Sequence, residues 1–282
     1  MEQSQLFKTL AVGTNIAMGF SLKESLAMLS RIGVEYIELS SIAGMCEHIE
    51  PKLICDSYCD EVKQLLEDNQ LKCLAVAGHV DLTIEDQLND FLKKIEFTSK
   101  IGAKYINTNS GPLERLDVFK ENIKRVIEQA EKWNITVCLE SHGDIIGTAK
   151  DSSKYIREIN HPLIKMNYDT GNTYFYEKGK VDLTEDISTA FDILSYIHLK
   201  DISIVGEKVK YQAIGEGDVS FKPIFRKMKD AGLCLNASLE IPVFVEGTVN
   251  GIGPKNTPLS PEMIEKTIQK SFDYTAAVLN SL

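Results

Sequence analysis

Alternating strand-like and helix-like segments run through the whole chain, and this pattern constrains the fold more than any other feature. Eight short runs rich in apolar and β-branched residues are each followed by a longer stretch with apolar residues at three- and four-residue spacing. Strands and helices in such alternation are typical of a parallel sheet covered by helices. The length of 282 residues fits a closed barrel of eight such units, which typically needs about 250 residues.

The approximate limits of these segments follow from the sequence. The predicted strands are TLAVGT, YIELS, LKCLAVAG, AKYINTN, ITVCLE, IKMNYD, YIHLK and LNASLEI. The predicted helices are LKESLAMLSRIG, DSYCDEVKQLLEDNQ, EDQLNDFLKKIEFTSKIG, VFKENIKRVIEQAEKW, DSSKYIREI, LTEDISTAFDILS, KPIFRKMKDAG and SPEMIEKTIQKSFDYTAAVLNSL. No linker rich in Pro, Gly or Ser divides the chain, so the sequence predicts a single (β/α)8 TIM-barrel domain over residues 1–282.

Two long connections interrupt this regularity, over residues 201–218 and 242–260. Both follow late strands at the carboxyl-terminal face, where barrel enzymes build their active sites. Structured loops of this length are usually lids or binding elements, or they pack between subunits. The sequence leaves the choice between these roles open.

Composition excludes several classes of function. The net charge of −10 argues against a nucleic-acid partner, because neutralising phosphates requires a basic face. The first twenty residues include an early acidic residue and no continuous apolar run, which predicts neither a secretory signal nor a membrane span. Six cysteines without a C-x-x-C pair fit buried thiols in a reducing cytosol better than a disulfide framework. We therefore expect a cytoplasmic protein with no membrane or nucleic-acid partner.

Four side chains able to bind a metal lie where consecutive predicted strands end: Glu140, Asp169, His198 and Glu240. Their spacings of 29, 29 and 42 residues are about what one strand-plus-helix unit requires. Because the carboxyl ends of barrel strands meet at one mouth, the four groups are expected to lie close together. Three carboxylates and one imidazole suit a divalent cation.

The competing interpretation is that each carboxylate only caps a helix or forms an ion pair, as single strand-end carboxylates often do. Charge is disfavoured at the end of a buried strand, however, so Glu140, Asp169 and Glu240 all need compensation. One shared cation compensates the three together, with His198 as a neutral donor. The sequence therefore favours a metal site over three separate caps.

The order of five motifs resembles a known family. These are LESHG (139–143), YDTGN (168–172), IHLKD (197–201), GEGDVSF (215–221) and SLEIP (238–242). Over nearly its whole length the chain is similar to the sugar isomerase/epimerase superfamily with a xylose-isomerase-like barrel. HLKD, then GEG, then a strand ending in Glu looks most like the ketose and ketose-phosphate 3-epimerases of that group.

The resemblance implies that Glu140, Asp169, His198 and Glu240 bind one divalent ion, usually manganese, magnesium, cobalt or zinc. It also implies that Glu140 and Glu240 are the catalytic acid/base pair. Their strands lie three places apart around an eight-stranded barrel, so a sugar between them has one carboxylate on each face. The expected reaction is epimerisation of a ketose at carbon 3 through an enediolate that the cation stabilises.

Three further residues are predicted to bind substrate. His142 follows Glu140 on a loop, Asn172 stands where relatives carry His or Asn near the substrate, and His79 ends the third strand. Exposed or capping roles remain open for both histidines. Lys200 and Asp201 are interpreted as an ion pair that orients the strand end. His48 and His161 are expected on the surface, and no role is predicted for Glu38, which closes the second strand.

A phosphate on the sugar is not favoured. The glycines of GEG resemble a phosphate cradle, but Glu216 and Asp218 would repel an anion and no Arg lies nearby in sequence. A tight turn is the better interpretation of this motif. EGTVNGIGPK, with its glycines and Lys255, is a weak phosphate signal, and we expect a sugar without phosphate.

Other functions remain open. A lyase or dehydratase acting on a keto-sugar or inosose, or a hydratase, would share the enediolate, and aldose–ketose isomerisation would use the same metal. A non-catalytic sugar-binding barrel is disfavoured by the complete set of metal-type residues. An apurinic-site endonuclease would need more than five histidines and a basic groove. Relatives commonly associate, which implies a homodimer or homotetramer.

Overall fold

The computed structural model describes residues 6–254 and 257–282, and in this part of the chain thirteen strands form two sheets. The strands are β1 (Phe7–Gly13), β2 (Tyr36–Ile42), β3 (Cys46–Glu47), β4 (Lys72–Ala77), β5 (Tyr105–Thr108), β6 (Thr136–Glu140), β7 (Ile164–Asp169), β8 (Leu194–Leu199), β9 (Asp201–Val205), β10 (Lys208–Gln212), β11 (Leu235–Leu239), β12 (Val245–Thr248) and β13 (Gly251–Pro254). The eight predicted strands correspond to β1, β2, β4, β5, β6, β7, β8 and β11.

These eight strands close into a parallel barrel. Around the barrel their order is β1, β11, β8, β7, β6, β5, β4 and β2, and the pairing of β1 with β2 completes the ring. β3 adds a short antiparallel edge to β2. The predicted fold class, a (β/α)8 TIM barrel, is confirmed.

The α-helices lie outside the barrel, and in the described residues they are α1 (Leu22–Ile32), α2 (Asp56–Asp68), α3 (Glu85–Lys100), α4 (Leu116–Trp133), α5 (Ala149–Ile159), α6 (Thr170–Tyr176), α7 (Leu183–Ser188), α8 (Phe221–Asp230) and α9 (Pro261–Asn280). As the sequence predicted, glycines lie at the carboxyl ends of α1 and α3 in the left-handed conformation. The φ angle is 92° at Gly33 and 85° at Gly102. One large apolar cluster joins the barrel to these helices.

The connection between β7 and β8 differs from the predicted single helix over 183–195. α6 begins directly after β7, because the Asp169 side chain accepts the Asn172 backbone N–H and caps it. α7 ends at Ser188, where the carbonyls of Asp186 and Ile187 accept the backbone N–H of Thr189, and residues 189–193 form turns. The segment TGNTYFY carries little helical signal, since it is short and contains Gly, β-branched and aromatic residues.

The two long connections fold into a second sheet beside the barrel mouth. β9 and β10 form one hairpin, β12 and β13 form another, and β10 pairs with β12 to give an antiparallel sheet in the order β13, β12, β10, β9. Its apolar side chains, Tyr211 and Val245 among them, form a separate cluster together with Phe175 of α6 and Phe244. The sequence predicted these connections as long loops and missed their strands.

Two smaller features bear on the predicted class of protein. All six cysteines are free thiols, as the sequence predicted, but they are not all buried: Cys55 and Cys234 are exposed. Within the described ranges, no helix has both the length and the apolar character needed to cross a lipid bilayer.

Candidate metal centre

Four side chains converge at the carboxyl-terminal mouth of the barrel. Glu140 and Asp169 are the last residues of β6 and β7, His198 lies in β8, and Glu240 directly follows β11. Because these strands are neighbours in the sheet, their ends place the four groups side by side. One potential ligand atom from each residue lies within 4.8 Å of the others, and all four residues are buried.

His198 Nδ1 lies at the centre of this group. It is 3.0 Å from Glu140 Oε2, 2.8 Å from Glu240 Oε2 and 3.6 Å from Asp169 Oδ2. Glu140 and Glu240 reach the same nitrogen from barrel strands three places apart. A species placed at this centre therefore contacts a carboxylate from each side.

The donor set fits a divalent cation. Asp169 Oδ2 and Glu240 Oε2 are buried, and within the described residues neither accepts a well-formed hydrogen bond. The Lys200 ammonium lies 2.6 Å from the first oxygen and 2.9 Å from the second, in directions that make ion pairs rather than hydrogen bonds. Oxygens left without hydrogen bonds beside an imidazole nitrogen are the atoms that a cation would take.

The electrostatics show a surplus of negative charge. Burial raises the pKa of the Asp169 carboxyl to about 6, although Lys200 partly opposes this. Burial also acts to raise the pKa of Glu140, but His79 and His198 outweigh it and hold the pKa well below its usual range. For His198, burial acts to lower the pKa, but Glu38, Glu140 and Glu240 hold it well above its ordinary value. Further positive charge would stabilise this centre.

The other nitrogen of His198 is held by a carboxylate on the opposite side of the barrel. Nε2 lies 3.0 and 3.1 Å from the two oxygens of Glu38, a buried residue of β2. Asn107 donates to Glu38 Oε1 at 2.7 Å, and the Tyr196 hydroxyl lies 3.5 Å from Oε2. With Nε2–H held by a carboxylate, it is the Nδ1 proton that a metal ion would displace, which leaves the Nδ1 lone pair directed at the metal centre.

Replacing Glu38 with Ala is expected to weaken Mn²⁺ binding by about 10–100-fold, because His198 loses the acceptor that fixes its tautomer and ring orientation. Glu38→Gln, which keeps one acceptor oxygen, should lose less. Isothermal titration with Mn²⁺ measures this directly, with Glu35→Ala as the matched surface control. Unchanged affinity in a folded Glu38→Ala protein would show that Glu38 does not position the ligand.

The three predicted substrate-binding residues surround Glu140. His79 Nε2 lies 2.9 Å from Glu140 Oε2, and Asn172 donates to Glu140 Oε1 at 2.8 Å. His142 lies 3.2 Å from the Tyr176 hydroxyl through Nδ1, and burial lowers its pKa to about 4. All three residues line one cavity at the mouth.

This cavity has a volume of about 270 Å³, below the usual range for drug-sized ligands. Its floor is polar and carries the substrate-binding candidates together with Glu140, Glu240 and Lys200. Its wall is largely apolar and comes from the β2–β3 turn and the second sheet, including Met45, Val245 and Ile252. The second sheet therefore shapes the entrance to the metal centre.

The structure corrects the expected pairing of Lys200 with Asp201. The two side chains have different partners. Lys200 contacts the carboxylates of Asp169 and Glu240. The Asp201 carboxylate accepts hydrogen bonds from the backbone N–H groups of Gly215 and Gly217, at 2.8 and 2.9 Å. These N–H groups are occupied by the protein's own carboxylate, so the turn interpretation of GEG is confirmed over a phosphate cradle.

A second correction concerns His48, which was expected on the surface. It is 9% exposed, with Nδ1 2.9 Å from the Thr14 hydroxyl and Nε2 3.2 Å from Ser25 Oγ. It packs there because β3 folds back on β2. Lys255 lies outside the described residues.

Sequence reasoning did not place Glu38, Lys200 or Tyr211 at this centre or in the lining of its cavity. Glu38 carried one usable signal, a charged residue that follows apolar residues in a predicted strand as Glu140 and Glu240 do, although β2 continues beyond it to Ile42. Lys200 is two residues beyond His198, and the alternation of side chains along an extended segment places both on the same face. Tyr211 lies on β10, a strand that the sequence analysis did not predict.

Comparison with known proteins places the chain in context. Residues 26–267 match the family model described as the xylose isomerase-like TIM barrel. No curated protein sequence matches the chain.

Several solved structures share the fold. A xylose isomerase-like TIM barrel protein from Mycobacterium smegmatis, in complex with magnesium, is 16% identical with a TM-score of 0.73 over 97% of each chain. D-allulose 3-epimerase from Methylomonas sp. is 16% identical with a TM-score of 0.69, over 99% of this chain and 100% of its own. The probable 3-DHS dehydratase AsbF from Bacillus anthracis is 16% identical with a TM-score of 0.67, over 93% and 97%. At these identities the likeness shows the fold alone.

Proposed function

Because the chain belongs to the xylose isomerase-like TIM barrel family, we propose that it is a divalent-metal-dependent sugar epimerase that inverts carbon 3 of a ketose or ketose derivative. The observation that carries this proposal is the convergence of Glu140 and Glu240, from opposite sides of the mouth, on His198 Nδ1. Two carboxylates that face each other across a small cavity suit the removal of a proton from one face of a carbon and its return to the other.

Glu140, Asp169, His198 and Glu240 would hold one cation, for which manganese, magnesium, cobalt and zinc are the candidates. The cation would supply Lewis-acid stabilisation of the negative charge that develops on the sugar oxygens. A solved structure of the same fold is described in complex with magnesium, which supports a divalent ion in this protein.

The side chains of this protein would perform the proton transfers. One of the two glutamates removes the proton from carbon 3, and the other delivers a proton from the opposite face. His79 and Asn172 contact Glu140 at 2.9 and 2.8 Å and would keep its carboxylate oriented during the exchange. His142, Asn172 and His79 would also bind the hydroxyl groups of the sugar.

A small sugar without phosphate is the proposed substrate. The cavity holds about 270 Å³, and Lys200 is its one lysine or arginine among the described lining residues, already placed against two carboxylates. A phosphate would therefore meet the carboxylates of Glu140 and Glu240 with a single ammonium and no guanidinium to balance them. The likeness to D-allulose 3-epimerase supports a ketose.

Turnover in deuterated water tests the proposal. Ketoses incubated with Mn²⁺-loaded protein are expected to gain solvent deuterium at carbon 3 of the inverted product, with little at carbon 1. The position of the label is read by NMR. Label at carbon 1 with an aldose product would assign the protein as an aldose–ketose isomerase instead.

The second candidate function is a lyase or dehydratase on a keto-sugar or inosose. The likeness to the dehydratase AsbF favours it over the remaining alternatives, since the same fold is described there with a dehydration reaction. Proton abstraction beside a carbonyl is common to both reactions, and only the departure of a hydroxyl group differs. Loss of water from the substrate, measured by mass spectrometry, would support this candidate.

The proposed setting is the cytoplasm, with one domain carrying the whole activity and the chain forming a homodimer or homotetramer. The second sheet beside the mouth is the surface on which a neighbouring subunit could complete the cavity. Light scattering distinguishes these assemblies from a 31.5 kDa monomer. Fractionation of the source cells tests the location.

A further inference from the structure

Lys200 is a buried cation beside the metal centre, and the two-glutamate scheme gives it no role. It is 5% exposed, and it is the only lysine or arginine among the described residues that line the cavity. Burying an ammonium is costly unless its surroundings are arranged for it. The residues around Lys200 show such an arrangement.

The turn after β7 is built around the Lys200 side chain. A Cβ added at Gly171 would lie 2.5 Å from Lys200 Cγ and 2.8 Å from Cδ, so only glycine leaves room for the aliphatic stem. The Thr170 hydroxyl also holds the Lys200 backbone: it accepts a hydrogen bond from the backbone N–H at 3.0 Å and donates one to the backbone carbonyl at 2.8 Å. Both residues belong to the YDTGN motif, whose Asp169 is a candidate metal ligand, so one segment fixes the lysine and the metal centre together.

The ammonium has donors to spare for a ligand in the cavity. Of its three N–H groups, one makes a well-formed hydrogen bond, to Asn172 Oδ1 at 3.0 Å. Its contacts with Asp169 Oδ2 and Glu240 Oε2 are ion pairs at 2.6 and 2.9 Å, and these oxygens accept no well-formed hydrogen bond from any described residue. The arrangement leaves carboxylate lone pairs for a cation and ammonium N–H groups for an oxygen beside it.

We propose that Lys200 is a catalytic residue that donates a hydrogen bond to the substrate oxygen on which negative charge develops, an inference that rests on the proposed epimerase function. When a glutamate takes the proton from carbon 3, the electron pair of that C–H bond forms the double bond to carbon 2. The π electron pair of the carbonyl group moves onto the carbonyl oxygen, which accepts a hydrogen bond from the Lys200 ammonium. The pair returns when the opposite glutamate protonates carbon 3, so protons and electrons balance without a further reactant.

The role predicts two effects of opposite direction in Lys200→Met, which keeps the length of the stem and removes the charge. Turnover should fall by about 10²–10³-fold, the usual cost of removing one donor to a developing oxyanion, with a smaller change in KM. Mn²⁺ should bind more tightly, because the variant lacks a positive charge next to the oxygens that the ion uses. If the lysine only held the metal ligands in place, its replacement would instead weaken Mn²⁺ binding.

The experiment measures Mn²⁺ affinity by isothermal titration and ketose turnover by deuterium incorporation, on Lys200→Met, Lys200→Gln and the wild type. Lys227→Met, which removes the same charge from an exposed pair with Glu185, is the matched control and should match the wild type in both measurements. Circular dichroism verifies that each variant folds, and Lys200→Gln replaces Lys200→Met if the latter does not.

Tighter or equal Mn²⁺ binding together with the loss of turnover supports the proposal. Turnover within threefold of the wild type overturns it, and so does a loss of turnover that parallels a loss of Mn²⁺ binding. A wild-type protein that binds Mn²⁺ but exchanges no proton on any ketose overturns the epimerase function itself, which is a separate observation from the behaviour of the variants.

Discussion

Replacing Glu140 or Glu240 with Gln is expected to lower epimerisation at least about 100-fold in each case, because Gln keeps the side-chain volume but cannot accept or return a proton. Deuterium incorporation at carbon 3 should fall with it. The double variant should be only slightly slower than the less active of the two single variants. The two groups act in one sequence of proton transfers, so their effects on the rate are not additive.

The metal must be measured in the same samples, because both glutamates also face His198 Nδ1. Atomic absorption on the protein, or titration with Mn²⁺, separates a loss of the ion from a loss of the base. Glu185→Gln, an exposed residue of α7, is the matched control and should retain full turnover. Double-variant turnover at the wild-type rate would eliminate the two-glutamate scheme.

Adding Mn²⁺ to metal-free protein is expected to raise its melting temperature by about 5 °C at a concentration of about 100 Kd. The reason is the surplus of buried negative charge, which the ion neutralises only in the folded state, where Glu140, Asp169 and Glu240 are held together. At that concentration, binding contributes about 2.7 kcal/mol to the free energy of unfolding. Differential scanning fluorimetry measures the shift, and EDTA should reverse it.

Asp169→Asn removes one anionic ligand and should lose most of this shift, whereas Asp192→Asn should keep it. Asp192 forms an exposed ion pair with Arg157, so its substitution makes the same chemical change far from the barrel mouth. Equal shifts in both variants would mean that the ion binds somewhere other than the candidate metal centre.

The barrel was predictable from the sequence because each of its strands carries its own signal. Runs such as ITVCLE and LNASLE carry no charged residue until a Glu ends them, and that residue marks the mouth. The positions of Glu140, Asp169, His198 and Glu240 followed from the convergence of strand ends, which holds for any parallel barrel. The structure brings these four together within 4.8 Å.

The remainder depends on contacts between distant parts of the chain. Glu38 reaches His198 across 160 residues of sequence, and no local pattern records that contact. His48 was wrongly expected on the surface because its burial depends on a two-residue strand that folds back on β2. The second sheet escaped prediction for two reasons. Its strands are short, and its two hairpins are joined by the pairing of β10 with β12, which are far apart in the sequence.

The wall and the floor of the cavity come from different parts of the molecule, and this separation has a consequence for how such a protein diversifies. Side chains that bond to the four metal-type residues lie on the barrel or directly after its strands, among them Asn15, Glu38, His79 and Asn172. The apolar wall instead comes from the β2–β3 turn and from β10, β12 and β13, whose apolar side chains form their own cluster. Mutations in these hairpins can therefore alter which sugar is accepted while the proton-transfer apparatus is inherited intact. Selection can thus explore new substrates without first losing the chemistry.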